Sequence, residues 1–450
     1  MQNRSAARGL LAAAMVLAAS AGISSAGAPG PVFPLKASTD NRYLVDQNDV
    51  PFLMVGDAPQ AMVGNLSVEQ AKFFIKDRAQ YGVNALWVNL LCDSYTACNA
   101  DGTTFDGIAP FTTPGDLSTP NPAYFDRAAA MLDAAAAKGM VVLLDPIETG
   151  GWLGVLDANG TMKARRYGEF LGNRFKDMPN IIWLSGNDFQ SWRDPSQTAL
   201  VRAVMKGLAS ADPDHLQTIE LDYYVSASLD DGALRPVLGL DAVYTYRPTY
   251  AKELSEYKRS RFEPTFLVEA NYEFEHNGGT DGGSTQNLRR QEYWTALSGT
   301  SGQLYGSAYS WRLQGDWQSN LDTIGILQLS YMKKLFEPRK WYALVPDWDH
   351  QLLTRGFGRF SKSDSITTDT YATAARTSDG SLAMAYLPDI RKVTVDMTKL
   401  SGRVRARWFD PSDASFTDIG SYGNTGSRHF TPPGLNHDGD GDWLLLLEAH

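Results

Sequence analysis

The strongest constraint on this chain is an alternation. Between about residues 50 and 340, short apolar runs bounded by turn residues alternate with amphipathic stretches eight times, with runs at 52–55, 85–91, 141–144, 181–184, 218–221, 242–246, 265–268 and 304–310. Continuous apolar strands separated by helices belong to parallel sheets whose faces are both covered. The helices carry start and stop signals. Ser67 with Gln70 forms a capping box and Gly82 ends that helix; Asn121-Pro122 opens the second and Gly139 closes it; Pro179 stops a helix over 162–176; Asp194-Pro195 opens the fourth. After the fifth run only a short helical piece near 229–235 is expected, and helices follow again over 250–260, 285–297 and 324–336. Eight units in roughly 290 residues fit a (β/α)8 TIM barrel, usually ~250 residues long. A doubly wound open sheet is the alternative, and the chain lacks the dinucleotide fingerprint common in that fold.

From about residue 347 the texture changes. Runs at 371–376, 382–387, 392–396, 404–409 and 443–447, separated by turns such as Asp379-Gly380 and Ser401-Gly402, predict a small antiparallel β-sandwich. At the other end Arg4 and Arg8, an apolar stretch over 10–19 and small residues over 21–28 read as a secretory signal peptide. The expected organisation is a leader over 1–28, a barrel over 29–345 and a sandwich over 346–450, with a secreted or periplasmic location. Cys92 and Cys98 are the only cysteines, and in an exported protein they suggest one disulfide pinning a loop.

Composition excludes several functions. The formal charge is −10 and no basic block of five residues occurs, so nucleic acid is not an expected partner. No stretch after the leader is apolar enough to span a bilayer, so no membrane partner is expected once the leader is removed. The six histidines are scattered with no H-E-x-x-H, and there is no G-x-S-x-G elbow or Walker loop. Neither a metal nor an organic cofactor is expected. The run Asn436-His437-Asp438-Gly439-Asp440-Gly441-Asp442 fails as an EF-hand, because Trp443 and Ala449 stand where Gly and Glu are needed, and it reads as a solvated hairpin.

In such a barrel the chemistry sits at the C-terminal ends of the strands. Asp188 follows the fourth run through Gly186, and Glu269 ends the seventh. Hydrolysis of a glycosidic bond needs two carboxyls, one to protonate the leaving oxygen and one to act at the anomeric centre. They stand ~5–5.5 Å apart for retention and ~6.5–9.5 Å for inversion. Asp188 and Glu269 are therefore the expected catalytic pair. Asp57, Asn89, Glu148, Asn187, Tyr246, Tyr272 and Trp311 lie near the same ends and are candidate substrate-binding residues. Glu273 is read as a structural clamp on Arg247 or Arg312.

Ordered segments add a resemblance. They include Pro34-Leu35-Lys36, Asn41 to Asp46, Pro51-Phe52-Leu53, Gly56-Asp57, Tyr81-Gly82-Val83-Asn84, Trp183 to Asp188 and Glu269-Ala270-Asn271-Tyr272-Glu273. Near the end come Trp408-Phe409-Asp410-Pro411, Thr431-Pro432-Pro433 and Asp442-Trp443-Leu444-Leu445. Together they resemble the apiosidase-like bacterial glycoside hydrolases, whose barrel is followed by a module labelled "putative collagen-binding domain of a collagenase". The resemblance implies a barrel glycosidase with a C-terminal sandwich and carries the catalytic pair onto Asp188 and Glu269. Ala58-Pro59, Asn187 and Ala270 depart from the family's usual residues, at positions that bear on the choice of sugar. The expected function is an exported glycoside hydrolase acting on plant or bacterial polysaccharides, with Glu269 as nucleophile and Asp188 as acid/base. A non-catalytic carbohydrate- or matrix-binding barrel is the alternative.

Overall fold

The computed structural model describes residues 30–450; the leader expected at 1–28 lies outside the described residues. The eight runs form parallel strands: β1 (Met54–Asp57), β2 (Ala85–Asn89), β3 (Val141–Asp145), β4 (Ile181–Ser185), β5 (Gln217–Ile219), β6 (Asp241–Tyr244), β7 (Thr265–Glu269) and β8 (Gly302–Tyr305). They hydrogen-bond in the order β5-β4-β3-β2-β1-β8-β7-β6. First and last strands pair from Gly302↔Met54 to Tyr305↔Asp57, which curls the sheet round. The seam between β5 and β6 is bridged differently. Ser226–Ala227 adds two antiparallel residues to β6. The Ser228 hydroxyl donates to the Ile219 carbonyl at 2.6 Å and accepts the Ala242 N–H at 2.9 Å.

Strand parity sorts the core. Met54, Trp87, Leu143, Leu184, Tyr244, Phe266 and Leu304 pack in one cluster, while Val55, Leu86, Val88, Leu144 and Trp183 pack in another with the helices. Besides a one-turn helix at Met62–Asn65, the helices are α1 (Val68–Gln80), α2 (Pro122–Ala136), α3 (Thr149–Phe175), α4 (Pro195–Ala211), α5 (Thr249–Tyr257), α6 (Thr285–Ala296) and α7 (Ile324–Phe336). The Ser67–Gln70 capping box and the Asn121 and Asp194 caps are present. Helix α3 starts earlier than its periodicity predicts, because a second helical stretch precedes it across a kink at Gly160. The weak helix expected near 229–235 is replaced by 3-10 turns at Ser228–Asp230 and Arg235–Val237. Among the described residues no helix is long and apolar enough to cross a membrane.

The C-terminal part adds β9 (Leu344–Pro346), β10 (Leu353–Arg355), β11 (Thr373–Thr377), β12 (Leu382–Leu387), β13 (Val393–Asp396), β14 (Val404–Phe409), β15 (Phe416–Tyr422), β16 (Ser427–Phe430) and β17 (Trp443–Ala449). A six-stranded antiparallel sheet, β9-β11-β12-β17-β14-β15, faces a three-stranded sheet, β10-β13-β16. Both faces of the larger sheet are covered. Met384, Tyr386, Leu444 and Leu446 join the core of the barrel's helices, whereas Ala385, Trp408, Leu445 and Leu447 fill the sandwich. That explains the unbroken apolar run in β17.

The Asp-rich run is not a solvated hairpin. Arg289 of α6, fully buried, donates through Nε and Nη2 to the two oxygens of Asp442 at 2.9 and 2.8 Å, and through Nη2 to Asp440 at 2.7 Å. The bidentate geometry, with Asp442 further bonded by Asn436 and Tyr386, offsets the cost of burying the charge. Pro31–His450 accordingly form one compact unit.

Candidate active site

Asp188 and Glu269 come together in a cleft of about 280 Å³ at the C-terminal ends of the strands, where Asn187, Tyr246, Tyr272 and Trp311 also line the wall. Asp188 is placed by an unusual backbone. Gly186 has φ +116°, and a Cβ there would meet the Glu220 carbonyl oxygen at 2.2 Å. Asn187 and Asp188 both have φ +57°, a left-handed conformation that non-glycine residues rarely hold twice in succession. The turn is pinned from two sides. The Thr149 N–H and hydroxyl donate to the Gly186 carbonyl at 2.6 and 2.7 Å, and the Asp188 N–H donates to Glu220 Oε2 at 2.8 Å.

The Asp188 carboxyl is half-buried. Its Oδ2 accepts the Tyr95 hydroxyl at 2.5 Å, and its Oδ1 has no hydrogen-bond partner among the described residues. Burial raises it above the usual carboxylate range, with a further push from Asp222, against the donors Tyr95 and Tyr244.

Glu269 is held differently. The pairing of β7 with β6 shifts between Leu267 and Glu269, an irregularity of the kind that re-aims a side chain at a barrel rim. Its Oε1 accepts the hydroxyls of Tyr244 and Tyr246 at 2.9 and 2.7 Å, and its Oε2 accepts that of Tyr272 at 2.8 Å. Gln60 Nε2 in turn donates to the Tyr272 oxygen at 3.3 Å. Burial and the neighbouring Asp188 charge push Glu269 up to about 8, while the three phenols pull it down. Beneath the pair, Glu220 is buried and raised well above the carboxylate range, first by burial and then by the charges of Glu269 and Asp188.

Three expected substrate contacts lie elsewhere. Asp57 is wholly buried in an ion pair with Arg78 Nε at 2.6 Å, with Ser310 donating to its other oxygen at 2.9 Å. It shares strand parity with Val55 and so faces the helix layer, not the cleft. Asn89 and Glu148 are also fully buried, behind the loop that Cys92–Cys98 closes as a disulfide. Thr96 of that loop donates to Glu148 Oε2 at 2.5 Å, and burial raises Glu148 to about 8. Glu273 clamps no arginine. It accepts the Tyr305 hydroxyl and the Gly325 N–H. Arg312 instead stacks over Trp311, whose indole N–H donates to Glu275 at 2.7 Å.

Several residues of the cleft carried no sequence signal strong enough to name them. Tyr95 sits between the two cysteines, 93 residues before the carboxyl it bonds. Tyr244 shares the inward parity of Ala242, which is a signal that could have found it. Glu220 directly follows the fifth strand, and in the sequence it is one strand-end acid among several.

Residues 38–343 match the family described as "Apiosidase-like, catalytic domain", and residues 362–448 match "Putative collagen-binding domain of a collagenase". No curated protein matches the chain. Among solved structures, one described as a glycoside hydrolase superposes with a TM-score of 0.78 at 22% identity, over 92% of this chain and 96% of that one. A glycoside hydrolase family 5 protein from Bacteroides vulgatus gives 0.80 at 21% identity, over 92% and 93%. At these identities the likeness is one of fold. The family match covers more than half of the chain, which therefore belongs to the apiosidase-like family and carries its glycoside hydrolase catalytic domain.

Proposed function

We propose that the chain is an exported retaining glycosidase, with Glu269 as nucleophile and Asp188 as general acid and base. The observation that carries this reading is the unequal hydrogen bonding of two carboxyls that share one cleft. When one proton is held between them, it belongs on Asp188, whose Oδ2 accepts the Tyr95 hydroxyl at 2.5 Å and whose Oδ1 has no partner among the described residues, the Tyr244 hydroxyl going to Glu269. Once Asp188 is neutral its push on Glu269 vanishes, and the three tyrosine donors then oppose burial alone in favouring the ionised form.

In the first step a Glu269 oxygen forms a bond to the anomeric carbon. The bond to the glycosidic oxygen breaks and its electron pair takes the Asp188 proton, releasing the leaving sugar. In the second step Asp188 removes a proton from water, the water oxygen attacks the same carbon, and Glu269 leaves as carboxylate. Configuration is inverted twice and so retained. Glu220 holds the Asp188 turn by accepting its N–H, and burial favours its uncharged form.

The substrate is a carbohydrate of plant or bacterial polysaccharides. Export is supported by the charge and apolar pattern of residues 1–28 and by the Cys92–Cys98 disulfide, which suits an oxidising compartment. The test is a screen of aryl glycosides and polysaccharides with the wild type and Glu269→Gln side by side. Turnover by the wild type alone is expected. Equal turnover by both proteins would sink the assignment.

A further inference from the structure

A second hollow, of about 310 Å³, adjoins the catalytic cleft and shares Tyr246 and Asn277 with it. Its floor is the pair Tyr223 and Tyr224, whose rings stack with centroids 4.4 Å apart and planes 25° apart. Tyr224 is 70% exposed, so beyond its stacking on Tyr223 most of its ring is open. The loop that presents it is nonetheless firmly tied. Asp222, itself buried, accepts the Trp192 indole N–H at 2.8 Å and Arg193 Nη1 at 2.6 Å through one oxygen, and the Tyr224 N–H at 3.3 Å through the other. Ser226 closes the turn by donating to the Asp222 carbonyl at 2.7 Å.

The hollow borders both carboxyls: its shared wall residue Tyr246 bonds Glu269, and Tyr223 directly follows Asp222, whose charge acts on Asp188. Trp192 follows Asp188 by four residues, and Glu220, which accepts the Asp188 N–H, precedes Tyr223 by three. Its far wall comes from the C-terminal module. Ser365 lines it, and Arg247 Nη1 donates to the Ser363 carbonyl at 3.2 Å. That segment is docked on the barrel by Arg290, which donates to the Ile366 and Thr367 carbonyls at 2.7 and 2.6 Å, and by the Tyr250 hydroxyl, which donates to Asp369 at 2.7 Å.

We propose that this hollow is the subsite for the leaving part of the substrate: a sugar ring stacks on Tyr223–Tyr224 while the C-terminal module walls the far side. The substrate is then an oligo- or polysaccharide whose departing portion is itself a sugar, and the second module belongs to the substrate-binding surface. Flat phenol rings suit the apolar face of a sugar, and their stacking costs little conformational entropy. The inference rests on the retaining reading above, which puts the leaving group beside Asp188.

The test uses the full chain and two substrates with the same sugar to be cleaved: its glycosyl fluoride, whose leaving group has no ring, and an oligosaccharide from the polysaccharide that the screen identifies. The double variant Tyr223→Ala/Tyr224→Ala should lower the ratio of kcat/KM on the oligosaccharide to that on the fluoride about ten-fold or more, mainly through KM. Ser365→Trp, which fills the hollow from the C-terminal side, should lower the same ratio. An unchanged ratio in both variants overturns the proposal, and fluoride hydrolysis reports that each variant is folded. If the wild type hydrolyses neither substrate, the catalytic reading fails. The subsite is then judged by binding of wild type and double variant to an array of plant and bacterial oligosaccharides. Weaker binding by the variant supports it and equal binding overturns it.

Discussion

Asp188 and Glu269 are both carboxyls at strand ends in one cleft, yet the protein has built them in opposite ways. Glu269 is buried and accepts three phenols, two on Oε1 and one on Oε2. Asp188 is half-buried, bears one bare oxygen, and hangs from two successive left-handed residues. Burial raises both, so the distinction is not one of burial. It lies in the donors, which stabilise charge on one group and leave the other free to carry a proton. A dense donor shell suits a group that must stay ionised, and a bare oxygen suits one that must trade a proton twice per cycle.

The comparison breaks most visibly in the pair itself. Glu269→Ala should lose turnover by several orders of magnitude, and added azide should yield a glycosyl azide of inverted configuration. Asp188→Ala should lose about 10²–10⁴-fold on substrates with sugar leaving groups and much less on a glycosyl fluoride, and azide should then give the retained product. Product configuration by NMR decides between the roles, and the same configuration from both variants would erase the distinction.

Next in size is a third strand-end acid, Asp57, which burial commits to structure. Arg78→Met leaves its charge unpaired and should cost roughly 3–5 kcal/mol of stability in chemical denaturation, at most weakly affecting KM for any substrate.

Glu148 gives a smaller effect with a definite sign. Its carboxyl is raised from 4.5 unfolded to about 8 folded, so the stability it confers is complete below pH 4.5 and is lost as pH rises to about 8. Relative to Glu148→Gln, the wild type should lose on the order of a few kcal/mol across that window. Parallel stability curves for the two proteins would show that Glu148 is not neutral in the fold.

The finest probe is Tyr95→Phe. In the proposed mechanism the active pair carries one proton, so kcat/KM should be bell-shaped, with its alkaline limb set by the Asp188 proton. The Tyr95 bond favours ionised Asp188; without it that limb should move to higher pH, and an unmoved limb would remove Tyr95 from the acid's control.

Most of the frame was legible before any coordinates. The apolar runs placed the barrel strands, the caps at Ser67, Asn121 and Asp194 placed helix starts, and strand order singled out Asp188 and Glu269. What escaped was whatever depends on a partner distant in the chain. Asp57 and Glu269 both end apolar runs with the same outward parity, as Val55 and Leu267 show; the pairing shift in β7 that re-aims Glu269, and Arg78 on the helix after Asp57, separate the candidate catalytic acid from the structural one. Strands β15 and β16 escaped because they are largely exposed and show no apolar alternation. The Asp-rich run was misread because its counter-charge, Arg289, lies about 150 residues upstream on α6.

The small ring closed by Cys92 and Cys98 holds both Tyr95, which bonds the acid, and Thr96, which bonds Glu148. The covalent bond is remote from any reacting atom, yet it limits how far the acid's hydrogen-bond donor can wander. Made in a host that keeps thiols reduced, this chain should yield the same barrel with Tyr95, the partner of the proposed acid, less tightly held. Batches of equal purity would then differ in specific activity according to their thiol titre, and mild oxidation would bring them together.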